Sequence, residues 1–186
     1  ALRAIPNLLV LRPADANETV QCWRAAIEYQ NGPSVLALSR QNLPTLDRSL
    51  VAAAEGTLKG AYVLADLGEG TPEIILMASG SEVDLIYKAG LKLAEDGHAV
   101  RVVSFPCWEL FEKAGKEYQD SVLPPAIKAR LAVEAGVAMG WERWTGSEGR
   151  IVAMQGYGAS APAGILMEKF GFTVENVLSE AGQLLK

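Results

Sequence analysis

The chain has 186 residues, 49% hydrophobic and 21% charged, which is long and apolar enough to bury a core and excludes a disordered or fibrous protein. Seventeen basic against twenty-two acidic residues give a net charge of −5 with no run of like charge. Nothing offers nucleic acid an electrostatic footprint, and an anionic ligand needs a local positive site. The apolar runs are strand-sized and no signal-peptide pattern opens the chain, so no membrane segment is expected and the expected location is cytoplasmic, or a plastid after transit-peptide removal.

Leu8 to Arg12 is an apolar run closed by Pro13, which ends a strand because proline lacks the amide a ladder needs. Asp15 stands three residues before Glu18, a capping-box start, and Ala16, Val20, Trp23 and Ile27 recur at helical spacing until Asn31-Gly32-Pro33. A second strand follows through Val35 to Leu38 and turns abruptly polar at Ser39 and Arg40, as a buried strand does where its carboxyl end meets solvent. Strand, helix and strand in so short a span form one βαβ unit with parallel strands. Such a unit leaves a sheet face and both edges unpaired, so the chain reads as cut inside a domain, and an opening without Met points the same way. Residues 41–60 carry Pro44, Gly56 and Gly60 without sustained periodicity and read as a connection. The expected division is an incomplete first domain over 1–45, a linker over 46–60 and a second domain over 61–186.

In the second domain, 61–65 and 73–79 read as strands, antiparallel because Gly68, Gly70, Thr71 and Pro72 join them too closely for a crossover. Ser81, with Asp84 at the capping-box position, opens a helix whose apolar face carries Val83, Ile86, Tyr87, Gly90 and Ala94. A strand over 99–104, a helical stretch over 108–122 broken at Gly115, and strands over 131–134 and 150–154 follow. Ser160 is expected to cap a helix with Pro162 in its first turn, and Thr173 to cap the last one. The fold class is α/β: a truncated βαβ piece, then a compact five-stranded, mostly parallel sheet with one antiparallel strand and helices on both faces.

Arg40 is the candidate binding residue. Ligands of open α/β sheets bind at the carboxyl ends of strands, and a guanidinium presents a fork of donors suited to phosphate or carboxylate. The competing assignment pairs Arg40 with a nearby acid such as Asp47. Gly80-Ser81-Glu82 and Gly156 to Pro162 lie at strand-to-helix turns that suit an anion, yet neither forms a G-x-G-x-x-G or Walker motif, and each is read first as a tight turn. His98 is the sole histidine and falls in a solvated loop, so no Ser/His/Asp or Cys/His set can be assembled. Trp108, Trp141 and Trp144 read as core aromatics, Glu134 as a packing or dimer-contact acid, and Cys22 and Cys107 as buried small hydrophobes rather than a disulfide or metal pair.

Longer motifs carry a resemblance. Arg3 with Ile5-Pro6-Asn7, Arg12-Pro13-Ala14-Asp15, Gly32-Pro33 and Leu38-Ser39-Arg40-Gln41-Asn42-Leu43-Pro44 resemble the end of the transketolase pyrimidine-binding domain. Met77 to Val83, Val102 to Pro106 with Trp108 to Phe111, Ser121 to Pro124, Val133 to Gly136 and Phe170 to Val174 resemble that family's carboxyl-terminal domain. The resemblance implies a homodimeric transferase of the pentose phosphate pathway and Calvin cycle that moves a two-carbon ketol unit between phosphorylated sugars. It also implies thiamine diphosphate and Mg2+ or Ca2+ as cofactors of the full-length enzyme, with Arg40 matching the arginine that binds the substrate phosphate. The family's metal and diphosphate motif, its activating Glu and its active-centre histidines precede the aligned start, and His98 matches none of them. No catalytic, cofactor or metal residue is therefore expected in this chain, which alone should be inactive and bind no cofactor. Two alternatives stay open: the same portion of another thiamine enzyme, such as a deoxyxylulose-phosphate synthase or a dehydrogenase subunit, and a stand-alone anion-binding α/β module.

Overall fold

The computed structural model describes residues 1–186. A short 3-10 turn at Leu2–Ala4 leads into β1 (Leu9–Leu11), α1 (Ala16–Glu28) and β2 (Ser34–Leu36). β1 and β2 pair in parallel, Val10 opposite Val35, as a two-stranded sheet with no further strand. β2 is only half-buried, where a buried strand is expected, because its outer edge has no partner. The larger body contains β3 (Tyr62–Leu67), β4 (Ile74–Ala78), α2 (Glu82–Glu95), β5 (Val100–Ser104), α3 (Trp108–Lys113), α4 (Lys116–Val122), β6 (Arg130–Glu134), α5 (Glu142–Thr145), β7 (Arg150–Ala153), α6 (Ala163–Lys169) and α7 (Val174–Leu184).

The five strands of the larger sheet run in the order β3-β5-β4-β6-β7, all parallel except β3. β3 does run against β4, as the short connection demands, but it pairs with β5, which lies between the two. β4 reads Ile-Ile-Leu-Met-Ala and is wholly buried, as a central strand covered on both faces must be. Strand alternation sends Ile74, Leu76, Val100, Val102, Leu131 and Val133 toward α2 and α7. Ile75, Met77, Val103 and Ala132 face the opposite layer, where Phe105, Phe111, Trp108, Trp141 and Trp144 pack edge to face and tilted at 4.9–6.4 Å between ring centroids. The tryptophans are therefore core residues.

Three local expectations fail for physical reasons. The face of α1 carrying Val20, Trp23 and Ile27 is exposed at 65%, 53% and 74%, while Glu18, Cys22 and Ala25 turn inward. Ser81 makes no capping bond: its backbone is already helical, its hydroxyl donates to Glu82 and Asp84 pairs with Lys88. Ser160 does not cap α6, because Pro162 occupies the cap position and the helix begins at Ala163. Two caps hold. Asp15 Oδ1 accepts from the Glu18 amide at 2.8 Å, and Thr173 Oγ1 accepts from Asn176 N at 3.2 Å. Thr173→Ala is expected to cost about 1 kcal/mol, read as a fall in denaturation midpoint. An unchanged midpoint would mean that α7 is held by packing alone.

Candidate functional site

Residues 41–60 are not a loose tether. They include a 3-10 helix at Ala54–Lys59, and Leu46, Val51, Ala54 and Thr57 are buried. Within them, Arg48 donates to Asp15 Oδ2 at 2.7 Å and to the Tyr62 hydroxyl at 3.0 Å, so it ties α1 to β3. Beside it Glu18, fully buried, accepts from Tyr62 OH at 2.7 Å, Ser104 Oγ at 2.5 Å and Ala14 N at 2.7 Å. Burial pushes its pKa up against the pull of those bonds, with repulsion from Asp15 adding to the rise. Glu18 therefore serves as a buried acceptor where the small sheet meets the large one.

A second polar cluster lies over the carboxyl ends of β4 and β6. Glu134, the last residue of β6, takes a two-pronged grip from Arg3 at 2.6 and 2.7 Å, with Ser79 Oγ at 2.6 Å and Trp141 Nε1 at 2.8 Å. The Arg3 guanidinium lies 4.0 Å from the Trp108 ring centroid. Arg12 pairs with the buried Glu82 at 2.6 Å, and Glu82 also accepts from Ala135 N at 2.9 Å. Burial would raise the pKa of Glu134, but the hydrogen bonds and charge of Arg3, with Ser79 and Arg12, outweigh it and hold the carboxyl below its ordinary range. Glu134 is thus a packing acid inside this chain.

The first unit consequently fills the edge where an open α/β sheet usually takes a ligand. The Gly80 turn is closed in this way: a Cβ on Gly80 would sit 2.6 Å from Arg12 Cζ, so side chain and backbone meet there directly. Gly156 to Pro162 remains open, with Tyr157 fully exposed. His98 points Nδ1 at Glu73, 2.9 Å away, on the surface. Cys22 and Cys107 are free thiols in one small apolar cluster with Leu9 and Leu11, and burial, with the charges of Glu18 and Glu109 respectively, pushes both far up. That makes them poor nucleophiles.

Arg40 stands apart from these networks. It follows β2, is exposed and forms no ion pair, while Asp47 binds Ser49 instead, through the amide at 2.9 Å and the hydroxyl at 2.7 Å. That removes the pairing with Asp47. Arg40 and Gln41 form one wall of a cleft of about 570 Å³ whose other wall is Ala159 to Ala163 with Leu166. A free guanidinium at such a cleft is suited to one phosphate. Arg3, Arg12, Glu82 and Arg48 were not singled out as interacting by the sequence, since each pairs with a residue distant in the chain. The signal within reach was Glu18, which stands at the capping-box position after Asp15 but turns its carboxyl inward, to Ala14 N rather than the Asp15 amide.

These features define a class: an α/β protein of two units locked by buried ion pairs, with the unpaired Arg40 at an open cleft. Residues 60–173 match the transketolase-like C-terminal domain, and residues 1–45 the transketolase pyrimidine-binding domain. A transketolase of Geobacillus stearothermophilus is 50% identical over 185 residues, 100% of this chain and 28% of its own length. The structure of transketolase from Leishmania mexicana superposes with a TM-score of 0.89 at 41% identity, covering 99% of this chain and 26% of that one. A Pichia stipitis transketolase in complex with sedoheptulose-7-phosphate gives 0.88 at 37% identity, with 98% and 26% covered. The chain belongs to the transketolase family, and it spans little more than a quarter of the length of these relatives.

Proposed function

We propose that the chain is part of a transketolase that transfers a two-carbon ketol unit between sugar phosphates, and that its own share is to grip the substrate phosphate through Arg40. The carrying observation is the unpaired Arg40 guanidinium at the mouth of its cleft. The Pichia relative with a bound sugar phosphate supports that substrate class. In this reading Arg40 draws the phosphate by charge, fixes it through paired N–H donors and leaves the sugar's reacting end to groups elsewhere.

Thiamine diphosphate with its metal would supply the carbanion-stabilising chemistry of such an enzyme. The residues here do not fit that group. No set of three or more His, Cys, Asp or Glu side chains is placed to hold a metal ion, and Glu18, Glu82 and Glu134 are already engaged by protein donors. In this reading the cofactor, metal and catalytic groups belong to other parts of the parent enzyme, and the chain alone is expected to show no activity. The bare apolar stripe of α1, with Trp23 at its centre, suits packing against a further part of that enzyme or its dimer mate.

Arg40→Ala in the intact enzyme is expected to weaken kcat/KM for phosphorylated substrates by about 1.5–3 kcal/mol, roughly ten- to a hundredfold, and to leave unphosphorylated ones nearly unchanged. Steady-state kinetics on both substrate types checks this. Equal losses would reject the phosphate role.

A further inference from the structure

With the carboxyl edge of the large sheet covered by the first unit, its amino edge is the one left open. There, where β6 begins and α4 and α5 end, lies a cleft of about 290 Å³. Its charged lining is Lys116, Lys128, Arg130 and Arg143 against Asp120 and Glu148. In a chain of net charge −5, four positive against two negative side chains make this lining net positive.

The four cations are not equally engaged. Lys116 pairs with Asp120 along α4, and Arg143 pairs with Glu112 of α3. Lys128 is exposed, and neither it nor Arg130 has a carboxylate partner; Glu148 is likewise without a cation. Arg130 is held by carbonyls alone: Ile127 at 2.9 Å, Trp144 at 2.8 Å, Leu123 at 3.0 Å and Pro124 at 2.9 Å. Those dipoles fix the guanidinium plane without cancelling its charge. Half-buried, it feels the charge of Asp120, which Lys116 already pairs, and an anion placed at the floor of the cleft relieves part of the remaining desolvation cost.

We propose that this cleft is a second anion site, taking a small oxyanion of the phosphate class, with Arg130 as its fixed positive floor and Lys128 as the mobile cation that closes on the ligand. Phosphate and pyrophosphate fit the volume, and Lys128 reaches from the rim because its long stem bears no other polar contact. The site is independent of the transketolase assignment and lies at the opposite sheet edge from the cluster around Glu134.

Titration calorimetry of the Arg40→Ala chain with inorganic pyrophosphate tests it, with the first cleft silenced. Saturable binding is expected, weakened about tenfold by Lys128→Glu and unchanged by Lys186→Glu, the same charge reversal at the carboxyl terminus. Both substitutions are on the surface, so folding is not at stake. No saturation by about 10 mM pyrophosphate, or equal weakening by the two reversals, would overturn the site and leave only diffuse surface charge.

Discussion

Glu134→Gln is expected to lower folding stability by about 3 kcal/mol at pH 7, the low end of what removing one partner from a buried ion pair costs. The variant keeps the shape of the side chain but leaves Arg3 without its carboxylate, and the hydrogen bonds from Ser79 and Trp141 meet an uncharged group. The low end applies because the Arg3 side chain retains 18% exposure and Arg12 keeps Glu82. The loss depends on pH. Glu134 has a folded-state pKa below its ordinary 4.5, so its contribution is complete above that value and disappears as pH falls through the folded-state pKa. Glu18, raised from 4.5, has the opposite sign: its contribution is present at low pH and is lost as pH rises through its folded-state pKa. Urea midpoints of the chain and of Glu134→Gln, measured from pH 7 downward, are therefore expected to run apart by a constant amount and to converge only below about pH 4.5. Parallel profiles through the whole range would show that the carboxylate has no depressed pKa to lose.

Gly60→Ala is expected to be more damaging still, at about 4 kcal/mol. Gly60 has φ +86°, and an added Cβ would lie 2.2 Å from Phe111 N and 2.3 Å from Cys107 O. Those are backbone atoms of the α3 entry, so no rotamer change relieves the overlap; the overpacking cost of about 1–3 kcal/mol adds to about 1–2 kcal/mol for a left-handed backbone. The Gly60 carbonyl also accepts from Cys107 N at 2.9 Å, which any shift would loosen. Gly70→Ala is the control: it shares a positive φ, +93°, but its Cβ meets nothing within 4 Å, so only the backbone cost of about 1 kcal/mol remains. Thermal unfolding should show a several-fold larger fall in Tm for Gly60→Ala. Equal falls would mean that the close approach of α3 carries no weight.

The elements legible in the sequence are those whose cause is local. Pro13, Asp15, Gly115 and Thr173 mark strand end, helix start, helix break and helix start, and each does what its chemistry dictates. The run Ile74 to Ala78 is apolar without alternation and lies in the middle of the sheet. The misread face of α1 is instructive. Apolar periodicity selected Val20, Trp23 and Ile27, but the inward face centres on Glu18, a carboxylate accepted in the interior only because Tyr62, Ser104 and Ala14 supply donors. No pattern within α1 shows those donors.

Arg40 shows the same division at the site. Its position after an apolar run, and the geometry of its side chain, made it a candidate from sequence. Asp47 is taken up locally by Ser49, whereas the wall supplied by Ala159 to Ala163 comes from a segment more than a hundred residues away meeting Arg40 in space. The sequence by itself determined the α/β class, the parallel βαβ unit, the caps at Asp15 and Thr173 and the family. Period, turn chemistry and motif act over a few residues and need no partner. Only the tertiary structure decided that β5 would separate β3 from β4, and that Arg3 and Arg12 would seal the carboxyl edge against Glu134 and Glu82. It also left Lys128 and Arg130 without an acid. Charge pairing depends on which distant residues the packed sheets bring within a few ångströms, and a buried charge is tolerated only where an opposite charge, or polar groups such as the carbonyls around Arg130, meet it.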